Sequence, residues 1–377
     1  MSETFDVVII GAGIAGASLA ANLADTHRVI VLEREEFAGF HSTGRSAAQF
    51  SVIYGNSTVR ALTRASRHFF YAPPQGFSDS PLVLPRGSLF IARKDQLPHL
   101  SEFVAQNDVS DYVRAVSASE ALQMCPVLRP DYVAAAVLEE TAADMDVNAL
   151  HQGYLRQLRQ AGGHVVLNAE VLELSHSKGI WQARTRNGSF RAPVVVNAAG
   201  AWADQIAVKA GGRPLKIQPC RRTAVLVDPP PDIATARFPM VIDIDETFYF
   251  KPDSSLLFLT PADENPIEPC DVQPEEMDVA IAIDRVEQAT TLRISRIRKR
   301  WAGLRSFAPD RTPVIGFDPR LSGFFWLAGQ GGYGIQTAPT AGALAAALIR
   351  QDLPFELCNL PVNELSPGRK ALAFAAT

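Results

Sequence analysis

Short apolar runs and helix-period stretches alternate from the start of the chain. Residues 5–10 (FDVVII) are apolar and β-branched, the pattern of a parallel strand buried on both faces. The turn GAGIAG at 11–16 follows, then a helix to about Ala24, then a second apolar strand at 28–33 (RVIVLE). Later, Asp146 predicts an N-cap for a helix over 147–161, stopped by Gly162 and Gly163. Residues 164–174, 180–186 and 189–196 read as strands, with Asn187-Gly188 as a hairpin turn. Residues 193–200 (PVVVNAAG) form another buried strand ending in small residues. From about Leu215 to Thr260, alternating strands and Pro-rich turns predict an antiparallel sheet. A helix is expected over 274–289, a strand over 324–328 and a late helix over 334–350. The basic run from Arg293 to Arg300 alternates with Ile294 and Ile297, as a solvated strand face does.

The pattern is α/β. A length of 377 residues suggests two domains, or one large and one small. A composition of 47% apolar and 20% charged residues supports a sizeable core. The net charge of −4 argues against nucleic-acid binding through a general positive field. Four widely spaced cysteines without a C-x-x-C pair fit a reducing, cytoplasmic setting and disfavour a disulfide framework or a metal site. Residues 7–21 carry no charge, but no Lys or Arg precedes them and the run is too short for a bilayer, so neither a signal peptide nor a membrane span is expected. A peripheral contact with the inner face of the membrane stays open.

The first strand, turn, helix and second strand make a βαβ unit carrying G-x-G-x-x-G. Gly11 makes the tight turn, Gly13 admits a pyrophosphate to the backbone and Gly16 lets helix pack on strand. The helix N-terminus offers N–H groups to phosphate, and Glu33 can hold ribose hydroxyls. That acid favours FAD or NAD over NADP. In the loop HSTGRSAA at 41–48, Ser42, Thr43 and Ser46 can reach phosphate and ribitol oxygens, Arg45 can complement phosphate charge, and Ala47 and Ala48 leave room for a flat ring. Gly329 to Thr337 (GQGGYGIQT) is a further glycine-rich strand-to-helix junction, whose helix end would stabilise negative charge on a reduced ring. Three separated small-residue turns suit an extended cofactor such as FAD.

GAGIAG, HSTGRSAA, VVNAAGAWAD at 195–204, WAGLRSFAPD at 301–310 and GQGGYGIQT together resemble the FAD-dependent D-amino-acid oxidase and dehydrogenase superfamily. The set looks closest to the bacterial D-arginine/D-amino-acid dehydrogenases. The resemblance covers nearly the whole chain. It implies a glutathione-reductase-like, Rossmann-type FAD-binding domain over 1–80, 143–214 and 308–377. It also implies an α+β substrate domain on an antiparallel sheet over 81–142 and 215–307. The implied reaction oxidises a D-amino acid to an imino acid by hydride transfer to flavin N5, and water releases a 2-oxo acid and ammonia. The acceptor that reoxidises the flavin, a quinone, another carrier or oxygen, is left open.

The resemblance also implies site residues. Non-covalent FAD would be held by Gly11, Gly13, Ile14, Ala15, Gly16, Glu33, Arg34, the loop Ser42, Thr43, Gly44, Arg45, Ser46, Ala47 and Ala48, and by Val171, Ala199, Gly200 and Trp202. Gly303, Arg305, Gly331, Gly332, Tyr333, Gly334, Ile335 and Gln336 would complete the site. Arg222, Arg305, Tyr54 and Tyr249 would hold the substrate carboxylate, and Gly332 and Tyr333 would offer carbonyls to its amine. A guanidinium fork matches a carboxylate bidentately. Gln49, Phe50, Ser88, Met240 and Ile242 would line the side-chain pocket with Tyr333. Two departures stand out: Gln49 replaces the His expected of D-arginine enzymes, and Pro85-Arg-Gly-Ser88 lacks the acid expected beside a guanidinium. Asp245 and Glu246 read as a solvated hairpin turn. The remaining wall is apolar, which suits neutral or aromatic side chains. A glycine- or sarcosine-type amine oxidase, a 2-hydroxy-acid oxidase and a non-catalytic flavin-binding subunit remain as alternatives.

Overall fold

The strand Val7–Ile10 is buried at every position because it lies in the interior of a six-stranded sheet. The structure, a computed structural model, describes residues 2–372. The sheet runs His164–Val166, Val29–Leu32, Val7–Ile10, Val194–Asn197, Phe324–Ala328, Val314–Phe317. The first five strands are parallel and the last is antiparallel. Apolar residues on both faces need two covers. Helices Ile14–Leu23 and Gly334–Arg350 cover one face, with Val7, Ile9 and Phe325 against Leu19, Ala341 and Leu344. The meander Glu173–Ser177, Ile180–Thr185, Gly188–Ala192 covers the other, with Val8, Ile10 and Trp326 against Trp181 and Phe190.

The turn after Val7–Ile10 requires glycine. Gly11 has φ +105°, and a Cβ on Gly16 would stand 1.9 Å from the Gly11 carbonyl oxygen. The helix Val147–Gln160 starts where its cap predicts, the Asp146 carboxylate accepting from Ala149 N at 2.8 Å.

The second large sheet has ten strands. It runs from Gln330–Gly331 through Ile297–Phe307, Gln218–Val227, Leu256–Thr260, Tyr249–Asp253, Met240–Asp243, Ser88–Ala92 and Ala135–Glu139 to Arg114–Val116, with Asn265–Pro266 paired beside Gln218–Val227. Alternation divides its residues. Leu89, Val225, Val241, Phe250 and Leu259 pack on helices Ala118–Met124 and Glu276–Ala289. Arg222, Ala224, Tyr249, Phe258, Met240 and Arg305 take the opposite face.

Three expectations need correction. The span 164–174 is not one strand: it breaks after Val166, where Asn168 turns with φ +53° and Ala169 N donates to Glu33 O at 2.7 Å. The chain there crosses from the parallel sheet to the meander. The hairpin turn is Arg186-Asn187, one residue early, because Thr185 pairs directly with Gly188. The second sheet is mixed, since Met240–Asp243 runs parallel to Ser88–Ala92. Those strands lie far apart in sequence, so no hairpin forces them antiparallel. The basic run is solvated as expected but does not alternate: residues 293–296 precede the strand, and from Ile297 to Arg300 every residue, Ile297 included, is exposed.

One carboxylate ties the second sheet to the segment after Phe50. Glu139 ends its strand fully buried, accepting from Ser51 Oγ at 2.7 Å and Val52 N at 2.8 Å. Burial pushes its carboxyl up to about 7, against the pull of those two bonds and of Arg64. Below its ordinary value of 4.5 it is protonated whether the chain is folded or not. As pH rises through 7 the folded state must ionise a buried group, so its contribution to stability is lost across that window. Glu139→Gln cannot ionise. Its unfolding free energy relative to wild type is expected to improve by about 2–3 kcal/mol between about pH 5 and pH 8, by denaturant titration. A difference that stays constant with pH would contradict this account.

Candidate cofactor and active site

An elongated cavity runs from the Gly11 turn, under the loop after Gly39, to the face of the ten-stranded sheet that bears Tyr249. Gly11, Gly13, Ile14, Ala15, Glu33, Arg34, Ser42, Thr43, Arg45, Ser46, Ala47, Val171, Ala199, Gly200 and Trp202 line it. So do Gly303, Arg305, Gly331, Gly332, Gly334 and Ile335, and, at the sheet, Arg222 and Tyr249. The remaining candidates stand apart from this lining. Gly16 is buried in the turn it shapes, and Gly44 lies behind the loop, lining a second cavity. Ala48 gives its carbonyl to Met145 N. Gln336 is pinned between Ser51 N and Thr63 Oγ1. Tyr333 caps the late helix and packs edge-on against Tyr54, with centroids 4.9 Å apart.

Several lining residues have defined partners. Glu33 accepts from Ala12 N at 2.8 Å and Glu35 N at 3.0 Å, and burial raises its carboxyl above the ordinary value. It therefore organises the glycine turn as well as the rim. Thr43 Oγ1 accepts from Ile14 N at 3.0 Å. Arg34 stacks over Trp202 at 4.8 Å. Arg45 differs from the phosphate role expected of it. Its guanidinium pairs with Asp271 and donates to the carbonyls of Val272 and Ala302. With Ser42 Oγ donating to Leu304 O and Trp301 Nε1 donating to Arg45 O, it fastens the loop to the second sheet.

At the far end a cluster forms around Arg305. Its guanidinium donates to Tyr54 Oη and Tyr249 Oη, each at 3.1 Å. A Cβ on Gly332 would come within 2.8 Å of Arg305 Nη1, so glycine there gives the guanidinium its place. Arg222 is held by the Asp263 carbonyl at 2.7 Å and the Glu264 carboxylate at 3.0 Å. Burial pushes the Tyr249 phenol up, but the charges of Arg305 and Arg222 outweigh it and hold the phenol below its ordinary value. Burial dominates at Tyr54 and raises its phenol.

The sequence reading missed four charged residues here. Glu264 also pairs with Arg311 at 2.9 Å, and Arg311 stacks on Phe307 at 3.9 Å. No local pattern marks either. Lys251 and Asp144 form an ion pair at 2.6 Å, and period two from Tyr249 could have found Lys251. The residues expected to line a side-chain pocket are not on the cavity wall: Met240 and Ile242 share the Tyr249 face, and Ser88 lies beside Met240. Gln49 sits opposite Asp144. Phe50 is corrected: it turns from Gln49 into the helix-packed core, 5.2 Å from Phe70 and fully buried.

The cavity fits FAD. Helices Ile14–Leu23 and Gly334–Arg350 both begin at it, and neither is capped by the side chain of its own N-cap residue, although Thr43 takes Ile14 N. Such helix starts favour anionic and electron-rich groups, and glycines leave bare backbone at both. Fold and cavity define a flavin-dinucleotide oxidoreductase. The chain matches the model of the DAO family, FAD dependent oxidoreductase, over residues 6–348, and it belongs to that family. Glycine oxidase of Geobacillus kaustophilus is 24% identical, with 95% of this chain and 96% of that protein covered. L-proline dehydrogenase from P. horikoshii has a similar fold, at a TM-score of 0.83 and 24% identity over 97% of this chain and 98% of the other. So does an FAD-bound L-alpha-glycerophosphate oxidase from Mycoplasma pneumoniae, at 0.81 and 19% over 92% and 95%. FAD is the cofactor. No helix among the described residues is long and apolar enough to cross a membrane.

No cysteine among the described residues lines the cavity, and the histidine that does, His41, is held by Glu35 at 2.9 Å and packed on Trp202. Acid precipitation of the yellow protein is therefore expected to leave a colourless pellet and release all the flavin. A pellet that stays yellow after washing would show a covalent bond.

Proposed function

We propose that this chain oxidises D-amino acids to imino acids, which water hydrolyses to 2-oxo acids and ammonia. When bound, FAD supplies the hydride acceptor. The observation that carries the reading is the Arg305 guanidinium, held by two phenols beside Gly332 at the cavity's end. Arg305 and Arg222 bind the substrate carboxylate, and Tyr54 and Tyr249 aim the guanidinium and add hydroxyls of their own. Gly332 offers its carbonyl to the amine, which orients the α-hydrogen; the Tyr333 carbonyl expected to join it is taken by Thr337, from N at 3.1 Å and from Oγ1 at 2.9 Å. Tyr54 and Tyr333 pack over the cluster and limit water. The D configuration is supported by the motif resemblance that picked out these same positions. A binding-only subunit would have no use for such a clamp.

The division into an FAD-holding unit (1–80, 143–214, 308–377) and a substrate-holding unit (81–142, 215–307) is supported by the six- and ten-stranded sheets. Four free cysteines support a cytoplasmic setting. A glycine- or sarcosine-type amine oxidase is the second reading, favoured by the glycine oxidase relative.

Mixing the holoenzyme with single amino acids without oxygen tests the reading whatever the acceptor. D-Amino acids are expected to bleach the flavin faster than their L-enantiomers, glycine or sarcosine. Faster bleaching by glycine or sarcosine would establish the second reading instead. D-Arginine is expected to be a poor substrate, because Ser88 offers a guanidinium no counter-charge and desolvating it costs several kcal/mol. Ser88→Glu is expected to raise D-arginine turnover selectively, and a wild-type preference for D-arginine over D-methionine above about tenfold would refute the pocket assignment.

Arg305→Ala and Arg222→Ala are each expected to keep FAD but lose about 3 kcal/mol of transition-state stabilisation, about a hundredfold in kcat/KM. Near-wild-type kcat/KM in both variants would remove the clamp.

A further inference from the structure

The sheet face that carries Tyr249 continues past it. Phe258, like Tyr249, lines the cavity, and Lys251 is the residue opposite Phe258 on the neighbouring strand. Lys251 is only 7% exposed. Its Nζ pairs with Asp144, and Asp144 also pairs with Arg86. Among the described residues neither cation has a second carboxylate partner, so one acid serves two cations and a positive charge is left over. Beyond Met240, two strands from Lys251 on this face, Ser88 is fully buried, and among the described residues its Oγ has no hydrogen-bond partner. Glu139, opposite Ser88, is committed to Ser51 and Val52. The Ser88 hydroxyl lacks a hydrogen-bond partner, the Lys251–Asp144–Arg86 group lacks one counter-charge, and an anionic group would supply both.

We infer that Lys251 and Ser88 form a subsite for a second carboxylate, so that the preferred substrates are acidic D-amino acids of glutamate length. The inference rests on the D-amino-acid reading above and sharpens it. Two residues along a strand span about 7 Å, the separation between the clamp at Tyr249 and the lysine. A side chain of two methylenes with a terminal carboxylate bridges that gap once the lysine stem bends towards it. Met240 and Ile242 pack on the methylenes. The apolar wall expected from sequence is thus the middle of the pocket, and its far end is cationic.

The test uses the holoenzyme without oxygen and follows flavin bleaching with D-glutamate, D-methionine and D-arginine. Wild type is expected to favour D-glutamate over D-methionine by at least about tenfold in kcat/KM, and Lys251→Met to lower that ratio at least about tenfold. Lys251→Arg is expected to keep most of it. Asp144 keeps Arg86 in every variant, which protects the fold. A measurement on wild type alone guards against a variant that loses FAD. Glutarate, which cannot be oxidised, is expected to inhibit competitively at least about tenfold better than pentanoate. Equal inhibition by the two acids, or a D-glutamate to D-methionine ratio below one, would overturn the subsite. A flavin that no D-amino acid bleaches would instead overturn the reading beneath it.

Discussion

A guanidinium with little water around it must be solvated by protein, and Arg305 imposes that demand on three distant parts of the chain. One phenol comes from the segment after Phe50 and the other from the strand Tyr249–Asp253. The turn before the late helix must stay bare at Gly332, because a side chain there would collide with the guanidinium. That same turn starts the helix that faces the cofactor cavity. The cation therefore fixes the distance between the two sheets: the strand carrying it belongs to one, and the glycine turn leads out of the other.

The segment bearing Tyr54 has no regular structure of its own, so its position is borrowed. Glu139 takes two of its donors, Gln336 takes Ser51 N, and Asn56 starts the next helix by accepting from Val59 N at 3.0 Å. A buried carboxylate is an expensive fastener. Its retention here makes physical sense because it joins the second sheet to a segment that would otherwise be a free loop. The loop from His41 to Ala48 is held in the same manner. Arg45, Ser42 and Trp301 bind it to the strand Ile297–Phe307. Both walls of the active site are thus set by polar contacts between elements far apart in sequence.

That distribution explains what the sequence could reveal. The βαβ turn, the Asp146 cap and the late helix are local events, written in spacing and in single residues, and they fall where the pattern puts them. The membership of Met240–Asp243 in a parallel pair is not local, because its partner lies at Ser88–Ala92 and no turn links them. Phe50 illustrates a finer limit. Gln49 and Phe50 are neighbours in a strand and must point to opposite sides, so a reading that sends both to one pocket has to fail for one of them. Arg45 shows another: a charge in a phosphate-like loop looks free until the acid it meets, Asp271, is brought across from another element. Motif resemblance picked out Arg222, Arg305, Tyr54 and Tyr249, which the fold brings to one end of the cavity, because it carries long-range information that periodicity does not.

Charge balance explains why this site calls for an anion. Arg222, Arg305 and Arg311 come together at this end of the cavity, and one carboxylate, Glu264, is shared by Arg222 and Arg311. Among the described residues no acid forms an ion pair with Arg305, whose partners are the phenols of Tyr54 and Tyr249. A neutral hydroxyl satisfies the hydrogen-bonding needs of a guanidinium but not its charge, so the cluster stays electropositive until a carboxylate enters. The depressed Tyr249 phenol registers the same field. Replacing either tyrosine by an acid would neutralise the cation and remove the attraction it exerts on an anion. Phenols therefore do what carboxylates could not. They hold the guanidinium in position while leaving its charge available, and that availability separates a binding clamp from a structural salt bridge.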